Sequence, residues 1–212
     1  MQKSGQKPKL TFDQTDVEVE HKEPLYSGFL STSRLRLRHR LFDGGWSAWI
    51  DRELMERGHA VAVLPYDPNR DEIVLIEQFR VGAMATSESP WLFELVAGMV
   101  ADQDDDWADV ARRELEEEAG LQAQHLHFAM SYLSSPGGMS ERVYVYIAEV
   151  DSRSASELGG VADENEDIRV HVCARTEVEA MLAEGKIDNA VSVIALQWLQ
   201  LHRHKLFAQK KD

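Results

Sequence analysis

The run Trp107-Ala108-Asp109-Val110-Ala111-Arg112-Arg113-Glu114-Leu115-Glu116-Glu117-Glu118-Ala119-Gly120-Leu121 decides how this chain is read. Its apolar residues recur at helical spacing, and Gly120 marks the stop, because glycine takes the left-handed conformation that ends a helix. At about 100° per residue, with Trp107 as zero, Val110 falls at about 300° and Ala111 at about 40°. The inward face is therefore centred near Trp107. Glu114 falls at about 340° and Glu118 at about 20°, along that face, while Glu116 falls at about 180° and meets water.

Most acidic runs are solvated helix faces, and that reading fails for Glu114 and Glu118. Two carboxylates four residues apart on an inward face repel each other and lose hydration. They need protons, basic partners or metal ions, and hard divalent cations favour oxygen ligands. Arg113 and Glu117 fall at about 240° and 280° and are expected to pair along the side of the helix.

Composition narrows the partners. The 212 residues include 37 acidic against 23 basic side chains, a net charge of −14, which repels nucleic acid. A small anionic substrate is admissible if cations sit between it and the acids. The lone cysteine, Cys173, forms no disulfide within the chain and reads as a small hydrophobe in Val170–Cys173. No apolar run approaches the roughly 18 residues of a membrane helix, and Met1–Lys9 is polar with no signal-peptide core. The expectation is a soluble cytoplasmic protein with neither nucleic acid nor membrane as partner.

The chain divides at residues 57 and 58 in this reading. Met1–Leu10 reads as a disordered lead. Residues 15–57 hold short alternating runs, Thr15–Glu20 and Phe29–Arg38, with a turn at Asp43-Gly44-Gly45, and form a small β-rich unit. In Ser33–Arg40, Leu35 and Leu37 alternate with arginines, most simply as a solvated strand face. From His59 the apolar runs lengthen. Ala60–Leu64, Glu72–Ile76, Trp91–Val96, Leu126–Leu133, Val143–Val150 and Ile168–Cys173 read as strands. A loop spans Ser134–Glu141 and an acidic loop Ala162–Asp167. Two helices close the chain: Thr176–Glu184, with Thr176 as candidate N-cap, and Asn189–His204, with Asp188 as candidate N-cap. Val191, Ile194, Ala195, Trp198 and Leu199 form a core stripe, and His202 and His204 read as surface residues.

The acidic helix also carries a resemblance. Arg113-Glu114-Leu115-Glu116-Glu117-Glu118-Ala119-Gly120-Leu121, with Gly98 upstream, resembles the Nudix box: Gly, five residues, Glu, seven residues, then Arg-Glu-apolar-X-Glu-Glu-X-Gly-apolar. The departure is the loop Met99–Asp104, one residue longer, which leaves Asp105 where the family has Glu. Glu94-Leu95-Val96-Ala97-Gly98 and Pro136, 16 residues after Gly120, are similar to the bacterial ADP-ribose pyrophosphatase branch. The likeness runs from about Thr11 to His204.

That resemblance implies an α/β/α sandwich around a mixed sheet, with residues 1–57 as an N-terminal unit exchanged across a homodimer and 58–212 as the hydrolase domain. It implies hydrolysis of ADP-ribose to AMP and ribose 5-phosphate with two or more Mg²⁺ ions, Mn²⁺ being the other candidate. Glu114, Glu118, Glu166 and the carbonyl of Ala97 would bind metal, and Glu164 would act as general base. Phe29, Leu30, Arg52, Glu53, Arg57, Arg80, Ser135, Pro136, Gly137 and Glu141 would bind substrate. Two rival readings are a pyrophosphatase for another nucleotide sugar such as GDP-mannose, and a catalytically silent nucleotide-sugar-binding regulator. The retained acids of the box weigh against the second.

Overall fold

A computed structural model describes residues 7–101 and 106–207, with Glu164 described by its backbone alone. Asp104 and Asp105 of the box loop lie outside the described residues. The strands are β1 (Val17–Ser27), β2 (Ser31–His39), β3 (Ile50–Glu56), β4 (Ala60–Asp67), β5 (Glu72–Phe79), β6 (Trp91–Glu94), β7 (Val96–Met99), β8 (His125–Leu133), β9 (Arg142–Glu149), β10 (Leu158–Gly159) and β11 (Ile168–Ala174). The helices are α1 (Trp107–Ala119), α2 (Arg175–Ala183) and α3 (Ala190–Leu206). None of the described helices is long and apolar enough to cross a membrane.

Two compact units emerge. One holds the chain up to Arg57 together with Ser135–Ser140; the other holds Gly58–Ser134 and Glu141 onward. The sequence reading left the loop 135–140 in the second domain. The structure places it in the first unit, where the Met55 N–H donates to the Gly138 carbonyl at 2.8 Å and the Ser140 N–H to the Met55 carbonyl at 3.1 Å.

The larger unit is built on an eight-stranded mixed sheet, in the order β10-β11-β5-β4-β9-β8, with β6 on β5 and β7 on β4. Only β4 and β9 run parallel among the named pairs. Period-two alternation along β4 explains the layers. Ala62, Leu64 and Tyr66 face one core with Leu75, Ile147 and the α3 residues Ala195, Leu196 and Leu199. Val61 and Val63 face the other core with Val96 and the α1 residues Val110, Ala111, Leu115 and Ala119. Both sheet faces are covered by helices, which is the expected α/β/α sandwich.

The smaller unit is a three-stranded antiparallel sheet, β1-β2-β3. Residues opposite one another share a face. Val19, Leu37 and Ile50 align on one side, while Arg36 with Asp51, and Arg34 with Glu53, align on the other. The arginines of β2 are paired with β1: Arg38 with Glu18 at 2.6 Å, Arg36 with Glu20 at 2.7 Å and Arg34 with Glu23 at 3.0 Å. The apolar side stays open. Val17 and Val19 are 43% and 54% exposed, and Ser33 is the one buried residue among those described in this unit.

Several local expectations shift. The run Trp91–Val96 is two strands, because after Glu94 the chain leaves β5 and joins β4. α2 begins at Arg175, one residue before the expected cap Thr176, since Arg175 is pinned to Asp71 by side-chain bonds of 2.7 and 2.9 Å. Asn189 caps α3 in place of Asp188. Its Oδ1 accepts from the Ser192 N–H at 3.1 Å while its Nδ2 donates to the Phe93 carbonyl at 2.8 Å, so one side chain serves helix and sheet together.

Candidate active site

α1 positions the acids. Asp106 opens it, accepting from the Ala108 N–H at 2.8 Å, and Gly120 closes it in the left-handed conformation at φ 65°. Because Val110, Ala111, Leu115 and Ala119 are driven onto β4 and β7, Glu118 is carried inward with them and is 1% exposed. The Glu114 side chain, one turn earlier, is 14% exposed, and Glu116 and Glu117 face water. Glu118 Oε2 accepts from the Ala97 N–H of β7 at 3.0 Å.

Burial is the main force on these groups. It pushes the Glu118 carboxyl from its ordinary 4.5 up to about 8, with the Glu166 and Glu114 charges adding and the Ala97 N–H and Arg80 opposing. Burial also raises Glu114, where Arg113 opposes and Glu117 and Glu166 add. Three carboxylates thus share one electrostatic neighbourhood.

Arg113 keeps its expected ion pair with Glu117 and adds a shorter one. Its short contact is to Glu114, at 2.9 Å, and Glu117 lies at 3.9 Å. The wheel places Glu117 beside Arg113 but does not show the contact to the adjacent, less exposed Glu114. A buried charge gains more from a partner than an exposed one does.

Glycines bring the acids close. A Cβ on residue 98 would overlap the Glu114 carboxyl, so with any larger residue there that side chain would have to move from its place over β7. On the other side, the acidic loop is tied to the end of α1. The Ser156 N–H donates to the Ala119 carbonyl at 3.0 Å, and the Gly160 N–H to the Glu117 carbonyl at 3.0 Å. These bonds satisfy carbonyls that a helix terminus otherwise leaves open. Gly160 has φ +92°, and a Cβ there would meet the Glu166 Cβ and carbonyl oxygen at 2.9 Å. Gly160→Ala is expected to lower stability by about 1–3 kcal/mol, read from thermal melts, and to speed amide exchange across residues 160–167. An unchanged melt would remove this loop anchor from the account.

The donor set suits a hard cation: carboxylate oxygens from Glu114, Glu118 and Glu166, two of them buried beyond what their charge tolerates alone. Among the described residues no three His, Cys, Asp or Glu side chains already converge as a metal-holding group. Glu114 is instead turned to Arg113.

Arg80 approaches the same acids. Its Nε donates to Glu94 Oε2 at 2.7 Å, and Glu94 is 8% exposed. The sequence gives Glu94 no role of its own; it appears there only as the first residue of the run Glu94–Gly98 that carries part of the resemblance. Glu141 is 7% exposed at the start of β9. Arg57 is half-buried at the end of the smaller unit. Also in that unit, Phe29 is 92% exposed in the β1–β2 turn with Leu30 beside it, Arg52 and Glu53 lie exposed on β3, and Ser135, Pro136 and Gly137 form an exposed turn closed by the Gly138 N–H on the Ser135 carbonyl. Glu164 ends a 3-10 turn, Ala162–Glu164. A separate hollow of about 390 Å³, lined by Asp67, Asn69, Arg70, Gln124, Asp151 and Arg153, includes none of these acids, and both of its arginines are already paired, Arg70 with Glu72 and Arg153 with Asp151.

Comparison with known proteins gives the family. The chain is 55% identical over 197 residues to the ADP-ribose pyrophosphatase of Escherichia coli, covering 93% of this chain and 94% of that protein. It is 37% identical over 153 residues to the GDP-mannose pyrophosphatase of Cronobacter sakazakii, covering 71% and 78%. A solved structure described as an ADP compounds hydrolase superposes with a TM-score of 0.69 at 21% identity, covering 93% of this chain and 97% of that one, and so shares the fold. The NUDIX domain profile matches residues 56–199. That match runs from the last residue of β3 well into α3 and takes in every element that shapes the acidic site, and the chain accordingly belongs to the NUDIX family.

Proposed function

We propose that this chain hydrolyses the diphosphate of ADP-ribose to AMP and ribose 5-phosphate, with two or more Mg²⁺ ions as cofactor. The observation that carries this reading is Glu118, a carboxylate 1% exposed with Glu114 and Glu166 as electrostatic neighbours. Such a group is stable only with a proton or a cation. The 55% identity to an ADP-ribose pyrophosphatase, against 37% to a GDP-mannose pyrophosphatase, supports the choice of substrate.

Bound Mg²⁺ supplies charge neutralisation for the diphosphate and acidifies the attacking water. Glu114, Glu118, Glu166 and the Ala97 carbonyl would hold it. Glu164 takes the proton of the attacking water. Arg80 and Arg57 direct N–H groups at diphosphate oxygens, for which the forked guanidinium is suited. Glu141 accepts hydrogen bonds from ribose hydroxyls, and the turn at Ser135, Pro136 and Gly137 lets backbone approach the ligand.

The same reading makes the protein a homodimer in which Phe29, Leu30, Arg52 and Glu53 serve the partner's site. Two features support it: an aromatic ring almost fully exposed at a turn, and a sheet whose apolar side leaves Val17 and Val19 exposed.

The test is a panel of ADP-ribose, ADP-glucose, GDP-mannose, NADH and diadenosine polyphosphates with Mg²⁺, scored by kcat/KM with product identification. ADP-ribose is expected to lead and to give AMP plus ribose 5-phosphate. A lead for GDP-mannose would overturn the substrate, and binding without cleavage would favour a regulator. Glu164→Gln is expected to reduce kcat by about 10²–10⁴-fold while leaving Mg²⁺ affinity nearly unchanged. Unchanged kcat would return the base role to another group.

A further inference from the structure

We propose that Glu94 is a positioning residue that fixes the Arg80 guanidinium so that its outer edge is aimed at the diphosphate; this rests on the function proposed above. Four observations carry it. Glu94 is buried, yet it sits at the end of β6, a four-residue strand held on β5 by the pairing of Ile76 with Glu94. Its Oε2 accepts from Arg80 Nε at 2.7 Å. The Arg80 side chain is 43% exposed, and its Nη1 and Nη2 donors have no hydrogen-bond partner among the described residues. Finally, the Arg80 backbone N–H donates to the Pro90 carbonyl at 2.7 Å, closing the excursion of residues 81–89 just ahead of β6.

The geometry divides the labour of one guanidinium. A guanidinium has five N–H donors in a rigid fork. Glu94 takes the inner donor, Nε–H, and so fixes the plane of the group. The Nη1–Nη2 edge is left for two oxygens of one phosphate group, the bidentate arrangement in which arginine exceeds lysine. A flexible side chain held in one orientation before the ligand arrives loses less freedom on binding. Glu94 ends β6 three residues ahead of Ala97, whose N–H Glu118 Oε2 accepts at 3.0 Å, so Arg80 is anchored where the chain enters the acidic site.

The test is a double-mutant cycle on the full-length protein with Arg80→Ala and Glu94→Leu, adding Glu94→Gln as the conservative variant. Steady-state kinetics with ADP-ribose and Mg²⁺ is read together with calorimetric binding of ADP-ribose and of ADP to metal-free protein. Glu94→Leu is expected to raise KM and weaken both ligands by about 10–100-fold with kcat within a few-fold, since ground-state anchoring is what is lost. Glu94→Gln, which still accepts from Nε, recovers most of the loss. With Arg80 already gone, Glu94→Leu adds little. Losses that multiply in the double variant, or a loss confined to kcat, would overturn the proposal, as would a glutamine variant no better than leucine. Melting curves of each variant separate misfolding, which would depress kcat and active fraction with KM unmoved. If the wild type binds ADP but does not cleave ADP-ribose, the substrate reading falls while the cycle on ADP still decides Glu94. If it binds neither, both readings fall.

Discussion

Glu118→Gln is expected to fold as the parent does and to turn over about three orders of magnitude more slowly, a loss of about 4 kcal/mol of transition-state stabilisation. The substitution is nearly isosteric. The amide oxygen still accepts from the Ala97 N–H that Glu118 meets at 3.0 Å, so β7 keeps its contact with α1. What disappears is the one negative charge placed deepest in the site, at 1% exposure. A neutral amide is a much poorer ligand for a hard cation than a carboxylate. Turnover near normal, with metal dependence retained, would remove Glu118 from the metal site and with it the central claim about this helix.

The second large effect is a coupling of metal, pH and stability. In the metal-free protein Glu118 titrates at about 8, against an ordinary 4.5. Between those values the folded chain holds a proton that the unfolded chain has released. Stability from this group is therefore complete below about pH 4.5 and is lost as pH rises through about 8, at a slope of at most about 1.4 kcal/mol per unit. A cation that takes the place of that proton binds more tightly as the proton leaves. Mg²⁺ affinity is expected to rise by up to about tenfold per pH unit from pH 6 to 8 and then level off. Melting curves with EDTA and with Mg²⁺ across this range measure both halves. The metal-free melting temperature should fall with pH, the stabilisation by Mg²⁺ should grow, and Glu118→Gln should flatten both. A flat wild-type profile would mean that Glu118 is already ionised without metal.

Much of this site was legible in the chain because one helix carries it. The limits of α1, the stop at Gly120 and the inward turn of Glu114 and Glu118 follow from a 3.6-residue period and need nothing from distant sequence. What escaped reading depends on contacts that period cannot show. The switch of partner at Leu95 is invisible in a continuous apolar run. β3 and the two-residue β10 exist only through their neighbours. The start of α2 is set by Asp71, more than a hundred residues away in sequence. The shorter contact of Arg113, to Glu114 next to it, does not follow from helical spacing. Glu94 became meaningful only once Arg80 was seen against it. Asp105, which stands where the family has Glu, lies outside the described residues.

The charges of the smaller sheet also bear on how copies of this chain keep apart. Its outer strands are acidic on one side, with Glu18, Glu20 and Glu23 on β1 and Asp51 and Glu53 on β3, while the middle strand β2 supplies Arg34, Arg36 and Arg38. Each acid strand finds its base strand once, inside its own sheet. A free edge offers unpaired backbone groups that invite another strand; beyond Met55, which Gly138 and Ser140 already occupy, either edge would bring like charge against like charge. The pattern minus, plus, minus lets the sheet close on itself and refuses its extension into a ribbon. A small open sheet with little core is in this way guarded against fibre growth at the high concentrations of a cell.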